Sequence, residues 1–453
     1  MTVFANRLLG PKGWLSDARV TLDGLFIASV EPGSAPKTGD VRVDTLLPAP
    51  GNLHSHSFQR AMAGMTEYRS RGRESFWTWR ELMYRFLDRL TPEHVAAIAA
   101  QTFVEMQKAG YAAVGEFHYL HHRPGGGPYD DRAEMSARIV QAAAETGIGL
   151  TLLPVLYTHG GADGRALAGG QLRFGNELDA YCTLVEGARA QAGTLPADAR
   201  VGIAPHSLRA VSAADLAEVA ARHPDGPVHI HIAEQTREVE EIEAAYGARP
   251  VDWLLNNAAV GPRWCLIHAT HMTDAETRAM AATGAVAGLC PITEANLGDG
   301  IFNGVPYFET GGAFGVGSDS NILISLTEEL RLLEYSQRLR DRERNVLAGA
   351  EGSTGAALYL GAARGGARAL DRGAGEIAPG ALADLVAIDS NAPALCALEP
   401  GQLLDGLIFA AGDRVVTDLW SAGRHQVRAG RHVAEDAIAR RYGAVLRDLL
   451  SRI

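Results

Sequence analysis

The stretch Asn52-Leu53-His54-Ser55-His56 is the one from which the fold of this chain can be worked out. It follows an apolar run that ends at Pro50-Gly51, so it is typical of the end of a buried strand. Successive side chains of a strand point to opposite faces, and His54 and His56 therefore project the same way. Two imidazoles on one face are suited to sharing a metal ion, although an H-x-H pair alone is also consistent with an ordinary polar strand end.

Downstream of this strand, short apolar β runs alternate with alanine-rich helical stretches. The β runs cover residues 112–117, 150–155, 201–204, 228–232, 265–268, 286–290 and 313–317. Strand alternating with helix indicates a parallel sheet. Together with the strand before His54 there are about eight units over roughly 310 residues, which lies within the size range of a (β/α)8 barrel. We therefore predict an α/β fold built on a TIM-like (β/α)8 barrel, and a doubly wound open sheet is the alternative.

Both ends of the chain have a different sequence pattern, in which short β-like runs are separated by glycine and proline. We predict that the two ends together build one small β-sandwich domain. The expected division is residues 1–47 for the first part of this domain, 48–368 for the barrel, 369–433 for the second part and 434–453 for a C-terminal helix. That last segment has amphipathic helical spacing and is expected to pack on the protein or at a dimer contact.

Bulk composition excludes several classes of partner. The chain has 42 Lys and Arg against 53 Asp and Glu, a formal charge of −11, whereas nucleic-acid and anionic membrane surfaces require clustered positive charge. Eighteen apolar residues never follow one another, and the N-terminus lacks the features of a signal peptide. The four cysteines form no C-x-x-C pair. We expect a soluble, unsecreted, cytoplasmic protein whose partner is a small molecule.

The ends of further strands carry residues that can bind a metal or transfer protons. The run Val228-His229-Ile230-His231-Ile232-Ala233-Glu234 ends in histidines followed by an acid, the strand at 265–268 ends in His268, and the strand at 313–317 is followed by Asp319. The carboxyl ends of barrel strands meet at one rim, where functional groups are displayed. Three histidines and a carboxylate suit Zn²⁺, which keeps a further position for water, and iron or manganese are alternatives at such a site.

In this order the motifs resemble the amidohydrolase superfamily, which has H-x-H after strand one, histidines after strands five and six, and aspartate after strand eight. The resemblance spans nearly the whole chain, including residues 46–51 at the entry to the barrel and 375–385 at its exit. It implies that the metal is bound by four residues, His54, His56, His231 and Asp319. Many members hold two metals bridged by a carboxylated lysine, but no lysine follows Lys108, so one zinc per subunit is expected.

The mononuclear deaminase branch of this superfamily has H-x-x-E on strand five, which here is His231 to Glu234. By this resemblance zinc lowers the pKa of its water to give hydroxide as nucleophile, and Asp319 and His268 accept and relay the proton. Glu234 protonates nitrogen so that ammonia leaves. His229 is then a packed core histidine. The chemistry suits a carbon in a C=N bond that carries an amino or imino group, in a ring or in an open amidine.

Two longer segments, residues 54–62 and 293–300, resemble the N-formimino-L-glutamate deiminases, one family within this superfamily, with Ser57 in place of an expected alanine. The resemblance implies zinc-dependent hydrolysis of N-formimino-L-glutamate to N-formyl-L-glutamate and ammonia in histidine degradation, by a homodimer. The guanidinium group of an arginine can bind a carboxylate through two parallel hydrogen bonds. The residues expected to contact the two substrate carboxylates are Gln59, Arg80, Tyr119, His206 and Arg209.

Other charged and polar residues near these segments have a plain structural interpretation. We expect four arginines, Arg69, Arg71, Arg73 and Arg85, to be solvated helix or loop charges. The segment 291–300 is interpreted as a well-capped turn whose Asn and Asp side chains satisfy backbone amides, and it is left out of the catalytic set.

Two other functions fit parts of the pattern. A mononuclear deaminase of guanine or another ring amine would share the metal site, but it would need aromatic or amide groups for base stacking in place of arginines. A noncatalytic scaffold on the same barrel would usually lack part of the metal set, whereas this chain has every member of it.

Overall fold

The computed structural model describes residues 1–67, 76–349 and 352–451 of the chain. Its strands are β1 (Thr2–Gly10), β2 (Gly13–Asp23), β3 (Phe26–Glu31), β4 (Val41–Pro48), β5 (Gly51–Ser55), β6 (Ala113–His118), β7 (Gly149–Leu156), β8 (Arg200–Val201), β9 (Ala204–Pro205), β10 (Val228–Ile232), β11 (Trp264–His268), β12 (Val286–Leu289), β13 (Ala313–Val316), β14 (Leu385–Ile388), β15 (Val416–Ser421), β16 (Arg424–Arg428) and β17 (Arg431–His432).

The helices connect these strands and cover the barrel. They are α1 (Phe76–Leu87), α2 (Pro92–Lys108), α3 (Glu134–Thr146), α4 (Leu178–Ala192), α5 (Ala213–Arg222), α6 (Thr236–Tyr246), α7 (Pro250–Asn257), α8 (Asp274–Ala282), α9 (Pro291–Leu297), α10 (Gly304–Glu309), α11 (Leu326–Asp341), α12 (Thr354–Ala369), α13 (Leu403–Gly406) and α14 (Glu435–Leu450). Short 3₁₀ turns lie at Ser57–Met62, Gly169–Arg173, Pro400–Gln402 and Asp413–Val415, and one π turn at Leu407–Ala411. Among the described residues, no helix has both the length and the apolar character needed to cross a bilayer.

The parallel strands β5 to β13 form the predicted barrel, with β8 and β9 acting as the two halves of one strand. One ladder runs from β5 to β8 and β9, and a second runs from β10 to β13. Two single parallel bridges join the ladders, Ile203 with Val228 and Ser55 with Asp319. Because the second bridge brings the last strand beside the first, the ring of eight closes and the (β/α)8 prediction is confirmed.

Burial along the barrel strands explains their sequence. β6, β7, β10 and β11 are buried at every position, as expected for parallel strands with side chains inside and helices outside. In β10, His229 lies deep in the core, and its Nε2 lies 2.8 Å from the Ala369 carbonyl, to which it donates. His229 is therefore a packed core residue. His231 is two residues further along β10 and lies nearer the rim formed by the carboxyl ends of the strands.

The two chain ends pair in one eight-stranded sheet, in the order β17-β16-β15-β14-β4-β1-β2-β3. The sheet folds back on itself, because the Ile27 amide donates to the Ala381 carbonyl at 2.9 Å and the Ala383 amide to the Leu25 carbonyl at 2.8 Å. The enclosed core includes Trp420, which is fully buried. The predicted small β sandwich is thus present, whereas the residue boundaries assigned to each part stay a prediction.

A buried ionic network joins the barrel to this sandwich. Arg372, which follows α12, donates to both carboxylate oxygens of Asp384 at 3.0 to 3.1 Å and to Asp198 Oδ2 at 3.1 Å. Arg424 on β16 donates to Asp198 at 2.8 Å. The side chains of Arg372, Asp198 and Asp384 are at most 3% exposed, so their charges depend on one another for stabilisation.

Replacing Arg372 by Met should lower the free energy of unfolding by about 3–5 kcal/mol, because buried Asp384 would lose its arginine partner and buried Asp198 would lose one of two. Urea unfolding followed by circular dichroism measures this. The matched control is Arg222→Met on the surface, where Arg222 pairs with exposed Asp179 and Glu218 and only a small loss is expected, because water screens the pairs. A loss for Arg372→Met no larger than for the control would contradict the role given to the network.

Candidate metal centre and active site

The bridge that closes the barrel also assembles the first half of the site. The His56 amide donates to the Asp319 carbonyl at 2.9 Å, and the Asp319 amide donates to the His54 carbonyl at 3.0 Å. This pairing places the Asp319 carboxylate against both imidazoles. Asp319 Oδ1 lies 3.4 Å from His54 Nε2 and 3.2 Å from His56 Nε2.

The second half of the site comes from β10 and β11. His231 Nε2 lies 3.1 Å from His54 Nε2, and His268 Nε2 lies 3.9 Å from Asp319 Oδ2. Four residues each offer a ligand atom within 4.8 Å of the others: His54, His231, His268 and Asp319. This group contains His268 where the sequence prediction has His56, although both side chains reach Asp319. The assignment of His56 as ligand and of His268 as proton relay therefore stays a prediction.

The donors and acceptors in this cluster fit a metal cation. His56 Nδ1 lies 2.9 Å from the Phe117 carbonyl and His231 Nδ1 lies 3.1 Å from the His206 carbonyl, so each Nδ1 carries the proton and donates it. The Nε2 lone pair of His56 then faces Asp319 Oδ1 at 3.2 Å, and that of His231 faces His54 Nε2 at 3.1 Å. Acceptors that face one another repel, and a cation between them removes the repulsion. Imidazole nitrogen and carboxylate oxygen are ligands that Zn²⁺ takes.

Burial sets the charge state of the histidine ligand candidates. It lowers the pKa of His54 to about 3 and that of His231 well below its usual value, so both rings are neutral near pH 7. Neutral imidazole is the form that binds metal. For His268, burial acts in the same direction, but the carboxylates of Glu234 and Glu294 outweigh it and raise the pKa to about 10.

Glu234 lies at the rim, opposite His268. Its Oε1 is 3.8 Å from His268 Nε2, and burial raises its pKa above the usual value for a glutamate. The Glu234 amide donates to Glu238 Oε2 at 3.0 Å, which fixes the backbone just after Ala233. A buried carboxyl group with a raised pKa is suited to delivering a proton at neutral pH.

The backbone is unusual where these strands end. Ala233, His268 and Asp319 have φ of +51°, +68° and +42°, a region that residues other than glycine seldom occupy. Left-handed backbone at functional strand ends is held in place by surrounding contacts, such as the Glu238 bond to the Glu234 amide. The chain thus turns abruptly at His268 and Asp319, and directly before Glu234.

A cavity of about 600 Å³ opens above the cluster. All five residues expected to contact substrate line this cavity. One comes from α1 and the other four from the connections that follow β5, β6 and β9: Gln59, Arg80, Tyr119, His206 and Arg209. Gln59 Nε2 donates to the Tyr119 hydroxyl at 2.6 Å. The cavity is also lined by His56, His231, Glu234, His268 and Asp319, so metal cluster and arginines face one space.

The two arginines of the cavity differ from the other arginines of the same region. Arg209 is 8% exposed, and although burial lowers its pKa, the nearby carboxylate of Glu238 raises it. Arg80 Nε donates to the Tyr84 hydroxyl at 2.5 Å. Arg85 is exposed on the outside of α1, as expected for a solvated charge. The expectation for three others, Arg69, Arg71 and Arg73, lies outside the described residues.

Sequence reasoning missed several residues of the cavity wall. They are Trp79, Met83, Tyr84, Tyr157, Phe174, Leu297 and Ser320. Tyr157 directly follows β7, so its position at the end of a barrel strand could have predicted that it lies at the site. The segment 291–300 is not a turn but begins with helix α9, which has proline at its first position and ends at Gly298 with φ of +70°. Those two residues are the usual helix start and stop signals.

Ser57 also differs from expectation, and the structure gives it a partner. Its amide and hydroxyl both donate to Glu116 Oε1, at 2.8 and 2.6 Å. Burial raises the pKa of Glu116 to about 7. The hydroxyl therefore satisfies a buried carboxyl group outside the cavity, where alanine would leave that bond unmade.

This chain is similar to known proteins over most of its length. A model of the amidohydrolase family matches residues 45–425. The chain is 50% identical over 452 residues to a formimidoylglutamate deiminase of Pseudomonas aeruginosa, with 99% of each chain covered. It is 29% identical over 386 residues to an 8-oxoguanine deaminase of the same organism, covering 81% of this chain and 80% of the other.

Among solved structures, an amidohydrolase from Brucella melitensis superposes with a TM-score of 0.95 at 47% identity, with 99% of each chain covered. The match therefore includes both the barrel and the sandwich built from the two chain ends. Family model, relatives and superposition lead to the same assignment. This chain belongs to the amidohydrolase family.

Proposed function

We propose that this protein hydrolyses N-formimino-L-glutamate to N-formyl-L-glutamate and ammonia. The observation that carries the proposal is the single cavity in which Arg80 and Arg209 face the histidine and carboxylate cluster. A substrate with two carboxylates and one amidine carbon needs cationic side chains on one side of its pocket and metal-binding side chains on the other. The 50% identity to a protein named formimidoylglutamate deiminase supports the same substrate.

One zinc ion per subunit is proposed at His54, His56, His231 and Asp319. Zinc, when bound there, supplies a Lewis acid that lowers the pKa of water toward neutrality. The protein's own groups do the rest of the chemistry. Addition of water across the C=N bond and loss of ammonia require a proton to be delivered to nitrogen at each stage.

Glu234 and His268 are placed to move these protons. The raised pKa of Glu234 lets its Oε1 hold a proton and donate it to the leaving nitrogen. Asp319 Oδ2 takes the proton from the attacking water. His268, which its raised pKa keeps protonated, donates a proton from Nε2 and is reprotonated by Asp319, 3.9 Å away. The substrate is oriented through its two carboxylates by five residues that line the cavity: Gln59, Arg80, Tyr119, His206 and Arg209.

Three broader features are part of the proposal. A place in histidine degradation follows from the proposed substrate, and a homodimer is expected from the family resemblance alone. A reducing cytoplasmic setting fits the four cysteines, which are all free. Analytical ultracentrifugation tests the dimer.

The test of the activity is ammonia release from N-formimino-L-glutamate by zinc-loaded enzyme, beside N-formimino-glycine, guanine and cytosine. Rapid release from the glutamate compound alone supports the proposal. Release only from a ring amine would favour the alternative, a ring-amine deaminase, for which the 29% identity to an 8-oxoguanine deaminase is the supporting observation. No release from any compound would overturn both.

Removal of the metal should abolish the activity. Dialysis against a chelator is expected to lower kcat by at least about 10³-fold, because no other group at this site generates a nucleophile from water at neutral pH. One equivalent of Zn²⁺ per subunit should restore it, and elemental analysis measures that stoichiometry. Full activity in metal-free enzyme would contradict the proposed metal centre.

A further inference from the structure

We propose that Glu294 is a positioning residue, which fixes the orientation and the tautomer of His268 so that Nε2 faces the reacting groups. This inference rests on the proposed deiminase function, in which His268 moves a proton. It gives a role to the segment 291–300, which was expected to be only a capped turn.

The contact between the two side chains is direct and buried. Glu294 is 5% exposed on α9, and its Oε1 lies 3.2 Å from His268 Nδ1. The same oxygen accepts the Cys290 amide at 2.9 Å. Because Oε1 already acts as an acceptor, the imidazole is the donor and Nδ1 carries its proton. Nε2 is then directed at Glu234 Oε1 and Asp319 Oδ2, at 3.8 and 3.9 Å.

The backbone departs from strand conformation at His268. β11 ends at His268, where φ is +68°, and Ala269 follows with φ of +48°. Two successive left-handed residues take the chain out of the ladder at the point where the imidazole is attached. A carboxylate behind the ring is the usual means of fixing the tautomer of a histidine that transfers protons.

The residue before Glu294 supports the neighbouring functional group. Thr293 Oγ1 lies 2.9 Å from Ser320 Oγ and donates to the Ser318 carbonyl at 3.2 Å. Ser318 and Ser320 flank Asp319 on either side. Two adjacent residues of α9 therefore reach the two groups, Asp319 and His268, between which the proposed mechanism passes a proton.

Kinetics of three variants test the role of Glu294. Glu294→Ala should lower kcat about 10- to 100-fold with KM and zinc content near the wild-type values, as for other carboxylates behind functional histidines. Glu294→Gln should recover much of this loss, because its amide oxygen still accepts a hydrogen bond. A rise in KM or a loss of zinc without a fall in kcat would overturn the proposal.

The matched control is Glu329→Ala. Glu329 is fully buried and its Oε2 accepts the Ile292 amide of the same helix at 2.9 Å, and within the described part of the chain it has no hydrogen bond with His268. Removing this carboxylate tests whether α9 needs the hydrogen bond to the Ile292 amide, without changing any contact of His268. We expect kcat to stay within about 3-fold of wild type. An equal fall in both variants would mean that Glu294 only stabilises the helix.

A double-mutant cycle separates positioning from general damage. In a His268→Asn background, Glu294→Ala should change kcat by less than about 2-fold, since the group that it positions is gone. The same fall in both backgrounds would overturn the proposal.

A spectroscopic readout is independent of activity. The chain has 15 histidines, and with ¹⁵N-histidine labelling the His268 signals are assigned by their loss in His268→Asn. We expect a proton on Nδ1 of His268 in wild type and Glu329→Ala, and changed Nδ1 signals in Glu294→Ala. Absence of that proton in wild type would overturn the inference. A wild-type enzyme that fails to hydrolyse N-formimino-L-glutamate would instead overturn the proposed function and leave this result standing.

Discussion

Replacing Glu234 by Gln is expected to lower kcat on N-formimino-L-glutamate by about 10³-fold, within the range for loss of a general acid. The amide keeps the size of the side chain but has no acidic proton for the leaving nitrogen. Glu234 is buried beside His268 and its pKa is raised, so the wild-type group can hold that proton at neutral pH. Because Glu234 lies outside the proposed ligand set, zinc content and KM should change little.

The control for this variant is Glu240→Gln, on the exposed side of α6. It removes one acidic group from the same helix and should leave kcat unchanged. Steady-state kinetics with metal analysis measure both variants. A fall of less than about 10-fold for Glu234→Gln would assign proton delivery to another group.

Replacing Arg209 by Met should lower kcat/KM for N-formimino-L-glutamate by about 10²- to 10³-fold, because a buried substrate carboxylate would lose its partner. Arg209 is 8% exposed at the cavity wall, so water cannot replace the guanidinium without opening the site. Arg209→Lys should fall between wild type and Arg209→Met, since lysine keeps the charge but not the two-pronged geometry.

Substrate truncation gives this prediction its control. Formamidine has the reacting C=N carbon but neither carboxylate, and its turnover should be nearly the same in wild type and Arg209→Met. The matched variant is Arg85→Met, which removes an exposed arginine of α1 and should leave both substrates unaffected. Equal losses on formamidine and on the glutamate compound would show that Arg209 supports the fold of the site and does not bind the carboxylate.

Much of the architecture was predictable because it depends on short-range periodicity. The alternation of apolar β runs with alanine-rich stretches gave the strands of the barrel to within a few residues, with one break at 202–203 between β8 and β9. The H-x-H pair, the H-x-x-E run and the later His268 and Asp319 stand at strand ends. A barrel brings such ends to one rim whatever the intervening sequence, so local motifs were enough to predict a shared centre.

The residues that support the functional side chains from behind were not predictable in the same way. Glu294 was assigned to a turn, because Asn, Asp and Gly are common in turns as well as at helix ends. Its contact with His268 joins two separate strand-to-helix connections, and no periodicity within either segment encodes that distance. The buried network of Arg372 with Asp198 and Asp384 was missed for the same reason.

The sequence by itself determined the fold class, the strand ends that carry histidines and carboxylates, and the family to which the chain belongs. These follow from side-chain alternation along strands and from motif order, which are properties of neighbouring residues. Only the tertiary structure decided that Ser55 pairs with Asp319 to close the barrel, which ring nitrogen of each histidine faces the centre, and that Arg80 and Arg209 share its cavity. Those features depend on packing between segments far apart in the chain, where geometry is set by the whole core and not by any local pattern.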